Sequence, residues 1–251
     1  AQSKQRARAR PGGNEMKRTF SGLMALLLAC GSANAALLSR AGGQAYYDDV
    51  LNITWLTNAN LADTNDFGVA GINANGTMTW DKAQEWIGAM NTANYLGTNT
   101  WRLPRVIDTG STGCNQDYTG TDCGYNVDLS TGEMAHMFYS TLGNVGYYNI
   151  SGSPTGCAGS PNYCLTNTGP FSNLQPHHYW SGTTYAPNPS NAWLFYFNIG
   201  GQNFTNKSNG FYAWAVSPGD ALVPVPGAVW MFGSALGVMG LVRRKMQTGT
   251  A

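Results

Sequence analysis

Few residues in this chain have the type and spacing that chemistry requires. His177 and His178 are adjacent. Neighbouring side chains on a strand point to opposite faces, so these imidazoles are not expected to share a metal and read as structural or surface residues. Asp63-Thr64-Asn65-Asp66 gathers the oxygen ligands that calcium prefers. The D-x-[DN]-x-[DN]-G spacing of an EF-hand loop is missing, so calcium is the alternative to an expectation of no cofactor. Serine, histidine and aspartate are all present, yet no G-x-S-x-G elbow frames a nucleophile and no carboxylate pair can be placed. No catalytic residue is assigned.

Cysteine chemistry is more defined. Leaving aside Cys30, the chain has Cys114, Cys123, Cys157 and Cys164, which allow three pairings. Local Cys114–Cys123 and Cys157–Cys164 links are expected, because each pair lies in its own loop rich in Gly, Asn, Thr and Ser. Loops this short gain roughly 2–3 kcal/mol each on closure in the chain-entropy model. Zinc is the alternative; it is disfavoured by the spacing, which is not C-x₂₋₄-C, and by the lack of a nearby His.

Binding is the other possibility. Tyr185, Asn188 and Asn191 lie in the stretch YWSGTTYAPNPSNAW. They combine a ring, whose face suits sugar C–H groups, with amides that both donate and accept. Trp180, Trp193 and Trp214 are expected in the core, and Arg102 as a buried ion-pair partner. The formal net charge of +1 hides an uneven distribution. Residues 36–222 hold five basic and twelve acidic side chains, a net −7. Such a body repels phosphate backbones, which excludes nucleic acid and disfavours sulfated polyanions.

The elements that must position these residues can be read from periodicity. YYDDVLNITWL reads as two short strands joined by a turn. Thr79 caps a helix over TWDKAQEWIGAMN, with Trp80, Ala83, Trp86, Ile87 and Met90 forming one apolar stripe. NTWRLPRV is short and β-like. Ser130 to Glu133 reads as a capping box, with Met134, Met137, Phe138 and Leu142 lining the buried side of a second helix. HHYWSGT, AWLFYFNIGGQ and YAWAVSPGD read as strands of an antiparallel sheet, the last two joined by a Gly-Gly turn. The expected fold class is α+β.

Both ends read as addresses. Residues 1–15 precede Met16 and read as an over-extended gene start. Residues 16–35, MKRTFSGLMALLLACGSANA, have a cationic start, an apolar stretch and an Ala33-Asn34-Ala35 ending. That is a secretory signal, cleaved between Ala35 and Ala36. Leu27 to Cys30 also loosely resembles a lipobox, in which case Cys30 would be lipidated. After the body at residues 36–222 comes a tail at 223–246, and then residues 247–251. In that tail Val223-Pro224-Val225-Pro226 is held extended by its prolines. Gly227 to Val242 is apolar or small and spans roughly 24 Å as a helix. Arg243, Arg244 and Lys245 hold the end in the cytoplasm.

This layout resembles the PEP-CTERM sorting signal, with Val225 where the name-giving form has Glu. The resemblance implies export across the inner membrane of a Gram-negative bacterium and membrane attachment through the tail helix. It also implies processing by an exosortase and delivery to the cell surface or extracellular matrix. Between the ends, YYDDVLNITWL, MTWDKAQEWI, WRLP, EMAHMFY, YWSGT, AWLFYF and YAWAVSPGD resemble the Lcl C-terminal-domain family over most of residues 44–220. That resemblance implies a C-type-lectin-like fold and a non-enzymatic role in polysaccharide binding, adhesion or biofilm. Ser217 departs from the family, standing where Arg is common, and the acidic body departs from basic relatives that hold sulfated glycans. A neutral exopolysaccharide is therefore the expected ligand. The alternatives are an exported hydrolase on the same scaffold and a purely structural matrix protein.

Overall fold

Asp48 turns the first hairpin. Its Oδ1 accepts the backbone N–H groups of Val50 (3.1 Å) and Leu51 (3.0 Å), closing the chain between β2 (Ala45–Asp48) and β3 (Ile53–Leu56). A carboxylate that satisfies turn amides in this way is the Asx chemistry that favours Asp at turns. The computed structural model describes residues 36–109, 118, 120–159 and 161–223. Outside them fall the upstream stretch, the signal with Cys30 and Ala35, Cys114, the tail from Pro224 through Arg243, Arg244 and Lys245, and the last residues. Among the described residues no helix is long and apolar enough to cross a membrane.

The fold is α+β, with two antiparallel four-stranded sheets rather than the single sheet expected. The first has the order β1 (Leu37–Arg40), β2, β3, β8 (Val216–Pro218). The second has the order β4 (Gly124–Tyr125), β7 (Gly201–Asn206), β6 (Asn191–Tyr196), β5 (His178–Thr184). Helix α1 (Trp80–Thr92) starts where expected, with the Thr79 hydroxyl accepting from the Lys82 N–H at 3.4 Å. It buries Ala83, Trp86, Ile87 and Met90, while Trp80 is only partly covered. The core is aromatic: Trp55 and Trp214 meet at 4.5 Å, and Trp180, Trp193, Phe195 and Phe197 are fully enclosed.

Three elements depart from the sequence expectation. After the Gly-Gly turn the strand is GQNFTN, which pairs with β6 along its whole length. YAWAV instead crosses between the sheets, bridging Tyr179 at Tyr212 before Val216 joins β3. Alternation over Trp193 to Phe197 fits a strand but does not identify its partner, because Ala192 to Phe195 are buried on both faces. Secondly, NTWRLPRV forms isolated bridges, Arg102 to Val216 and Val106 to Gly132, rather than a strand.

Thirdly, the capping box does not form. Helix α2 (Glu133–His136) is preceded by Gly132 and continues as a wider π turn over Met137–Thr141. Ser130 donates its N–H and hydroxyl to Asp128. The Glu133 carboxylate is held by Arg102 through two bonds, 2.7 and 2.6 Å, and by the Arg105 N–H at 2.7 Å. A bidentate guanidinium outcompetes a backbone amide for a carboxylate. Arg102 is thus the ion-pair partner it was expected to be. The same WRLP segment docks on β5. The Pro104 carbonyl accepts from the Gly182 N–H (2.7 Å) and the Ser181 hydroxyl (2.9 Å), at a register shift between Trp180 and Thr184. A side chain at Gly182 would press on Leu103 at 3.3 Å.

Candidate functional site

The three residues proposed from sequence as ligand contacts do not form a platform. Tyr185 is only 4% exposed; its ring stacks on Phe204 (3.6 Å, 6°) and meets Trp193 edge-on (5.6 Å). Both partners come from the sheet, so the ring is part of a small apolar cluster and offers sugar no open face. Asn188 is exposed, but its side-chain oxygen closes the turn by accepting from Ser190. Asn191 opens β6 and is paired through its backbone. Asp108 holds this corner from below, accepting from the Ala186 N–H (2.6 Å) and the Trp193 indole (2.9 Å).

The other candidates resolve as follows. Cys157 and Cys164 form a disulfide, with Cα atoms 4.7 Å apart. Cys123 is disulfide-bonded as well, and its expected partner Cys114 lies outside the described residues. In the Asp63 to Asp66 segment, Asn65 and Asp66 accept from the N–H groups two residues on, and the Thr64 hydroxyl donates to Leu61. Those oxygens build the loop and one wall of a groove of about 270 Å³. Among the described residues no three His, Cys, Asp or Glu side chains converge on a metal position. Thr141 lies between Asp48 (3.1 Å) and His136 (3.4 Å), so the hydroxyl rather than the imidazole contacts the carboxylate. That order differs from a triad, where the imidazole stands in the middle.

The histidines need a correction. Their rings are 4.6 Å apart, not on opposite faces. His177 precedes β5 and sits in a turn, its N–H donating to Gln175, so strand alternation does not govern it. His178 lies against Tyr196 at 4.1 Å and Phe211 at 4.9 Å. Burial, reinforced by neighbouring His177, holds its pKa down at about 4, so the ring is neutral at pH 7.

His178 opens onto the feature that composition did not reveal. Across the second sheet, His178 pairs with Tyr196, Tyr196 with Gly201, and Gly201 with Tyr125. Directly opposed residues share a face, so these four positions form one row perpendicular to the strands. Gly201 has no side chain, and Tyr196 leans across it: a Cβ there would lie 3.2 Å from the Tyr196 ring. At the β4 end the row widens into a cluster. Tyr125 meets Tyr148 at 5.0 Å, Tyr148 meets Tyr118 at 5.1 Å, and Tyr147 packs on Tyr148 at 4.7 Å. The Tyr125 phenol is pushed up in pKa by burial first, then by the neighbouring phenols of Tyr148, Tyr196, Tyr118 and Tyr147. Its rings and amides carry no formal charge at pH 7.

The strip is rigidly mounted. The Asn126 amide donates to the backbone carbonyls of both Tyr118 (2.8 Å) and Tyr148 (2.9 Å), tying the two segments together through one side chain. Beneath the row, the Tyr139 hydroxyl donates to the Gly200 carbonyl and accepts the Asn126 N–H. Burial pushes that phenol up to about 12. Gly146 and Gly200 leave the space it needs, since a Cβ at either would fall within 2.4–2.7 Å of its oxygen. Within the row, Asn203 hydrogen-bonds the Tyr196 side chain.

Such an arrangement brings together aromatic surface, which suits apolar contact, and phenol and amide groups, which can donate and accept hydrogen bonds. Sequence reasoning missed it because its rings come from segments around residues 118, 125, 148, 178 and 196, and only the register of β4, β7, β6 and β5 unites them. The Tyr147-Tyr148 doublet was the one local signal. In comparison with known proteins, the family model described as the Lcl C-terminal domain matches residues 44–217. No curated protein and no solved structure matches the chain.

Proposed function

The chain belongs to the Lcl C-terminal domain family, and from that membership and the tyrosine strip we propose a non-enzymatic, polysaccharide-binding protein of the cell surface or extracellular matrix. The family points to a secreted or surface protein. The observation that carries the binding half is the row of Tyr125, Tyr196 and His178 across one sheet face, extended by Tyr148 and Tyr118. We read the scaffold as C-type-lectin-like, a reading supported by two helices and two antiparallel sheets, and the ligand as a neutral exopolysaccharide. Calcium is not needed for contact through rings and amides.

The delivery half of the proposal is export by the signal at residues 16–35 and sorting by an exosortase. The body supports a boundary at the expected place. Leu222 is still packed in the core, whereas Val223, the first residue of the Pro-x-Pro motif, is half exposed. Sedimentation of the purified full chain with insoluble neutral polysaccharides tests the binding reading. Co-sedimentation that fails for every neutral polymer tried, with the fold intact, would remove it.

A further inference from the structure

We infer that Asn209–Gly210 is a site of spontaneous covalent modification, where the Asn209 carboxamide closes on the Gly210 nitrogen and reopens as aspartyl or isoaspartyl. The sequence holds two Asn-Gly pairs, Asn75–Gly76 and Asn209–Gly210. Glycine after asparagine favours this closure in any flexible chain, because no Cβ shields the attacking nitrogen or limits the backbone. The fold treats the two pairs in opposite ways.

At Asn75–Gly76 both reacting groups are engaged. The Gly76 N–H donates to the Asn73 carbonyl at 2.8 Å, and the glycine is buried with a φ of 83°. A Cβ there would fall on the Asn60 side-chain oxygen, so this backbone has little room to swing. The Asn75 side-chain oxygen accepts from the Thr77 N–H (3.1 Å) and the Thr77 hydroxyl (2.7 Å), which holds the carboxamide toward Thr77. Closure would first have to give up these bonds in a packed turn.

Asn209–Gly210 is free of such restraints. The turn after β7 is closed upstream of it: the Asn206 side chain accepts the Ser208 N–H (2.9 Å), and the Asn206 carbonyl accepts the Asn209 N–H (3.1 Å). Both Asn209 and Gly210 are exposed. Among the described residues the Gly210 N–H has no hydrogen-bond partner, and the Asn209 carboxamide makes one bond, from its nitrogen to the Thr205 hydroxyl at 2.9 Å. Backbone pairing resumes only at Phe211, which exchanges two bonds with Met78.

In the first step the Gly210 nitrogen loses its proton to hydroxide and attacks the Asn209 Cγ. A C–N bond forms, the Cγ–Nδ2 bond breaks, and the side-chain nitrogen leaves as ammonia with a proton from water. A second water then opens the cyclic imide at either carbonyl. One opening restores the normal chain with an aspartate; the other routes the chain through the side chain as isoaspartate. Nothing is oxidised or reduced. The isoaspartyl form lengthens the main chain by one atom just ahead of Phe211, whose ring packs on Trp180 and on His178, each at 4.9 Å. It therefore loosens the Met78–Phe211 bridge, and either product adds a negative charge to the acidic body.

Incubation of the full chain at physiological temperature and mildly alkaline pH tests this, with peptide mapping that separates aspartyl from isoaspartyl. Asn209 should convert at least about tenfold faster than Asn75 and should give both products. In the urea-unfolded chain the two rates should converge, because the structure that separates them is gone. Gly210→Ala should fold, since its Cβ would meet Asn73 Nδ2 at an ordinary 3.6 Å, and should slow conversion of Asn209 about tenfold. Equal rates in the folded chain, aspartate without isoaspartate, or a rate difference that survives unfolding would overturn the inference. Amide exchange at Phe211 should quicken in the isoaspartyl form; unchanged exchange would overturn the coupling to the bridge.

Discussion

Arg102 shows how far a single residue can be read. Five cations set against twelve carboxylates made an ion pair the simplest role for it, and the pair exists; its partner did not follow from sequence. Glu133 lies 31 positions away and looked like part of a helix cap, a local pattern that a guanidinium in space overrides. Both side chains are about four-fifths buried, so removing one leaves a charge largely without solvent. Glu133→Gln should cost about 3 kcal/mol in urea unfolding, and Arg102→Lys should not be silent, because an ammonium cannot make the two-pronged contact. His178 supports a pH prediction. Burial depresses its folded pKa from the ordinary imidazole value of 6.5 to about 4, so the unfolded chain takes up the proton first. The stability it contributes is present above about 6.5 and is lost as pH falls through about 4. His136 and His177 are shifted the same way by burial. Thermal unfolding at stepped pH should show a decline over this window, shallower in His178→Phe, which keeps the ring contacts.

At the scale of elements, α1 was legible because cap, stripe and length agree. The Asp48 hairpin was legible because turn residues separate the Tyr46-Tyr47 pair from the Ile53-Thr54-Trp55 run. The second sheet was only half legible. Its strands were visible as aromatic runs, but GQNFTN is polar and was passed over, although it is the central strand that joins β4 to β6. A strand covered on both sides by aromatic neighbours can itself be plain. The tyrosine strip remained hidden for the same reason, since its register depends on that strand. The Cys157–Cys164 link belongs to this scale too, fastening a loop beside the packed residues Cys164 and Leu165. Replacing both cysteines with Ser should lower unfolding free energy by about 2–3 kcal/mol, leaving far-ultraviolet circular dichroism unchanged. Non-reducing peptide mapping should recover this link and a separate Cys114–Cys123 peptide. A crossed Cys114–Cys157 peptide would refute the local pairing.

For the whole molecule, charge and addresses make the predictions. Because few charges would be neutralised on binding, affinity for a neutral glycan should change little between low and high salt. Heparin affinity chromatography should give no retention at physiological salt, and tight, salt-sensitive retention would contradict the acidic-body argument. Surface material analysed by intact mass should begin at Ala36 and end near Pro226. A new amino terminus at Ala36 would place its nitrogen 2.9 Å from the Asp49 carboxylate, converting an amide contact into an ion pair.

The chain leaves the body at the edge strand β8, which is held to β3 by three register positions. Just beyond it, Asp220 grips Arg40 at the end of β1 by two bonds, 2.6 and 2.7 Å, spanning the sheet from the last strand to the first. Suppose a matrix polymer is pulled while the protein is still tethered through residue 223. Tension then reaches this clasp before it reaches Pro218, where peeling of β8 would begin. Under that load the Arg40–Asp220 pair would act as a mechanical latch. Its role would scarcely register in equilibrium stability, yet single-molecule extension from the C-terminal end should show a lower rupture force for Arg40→Ala.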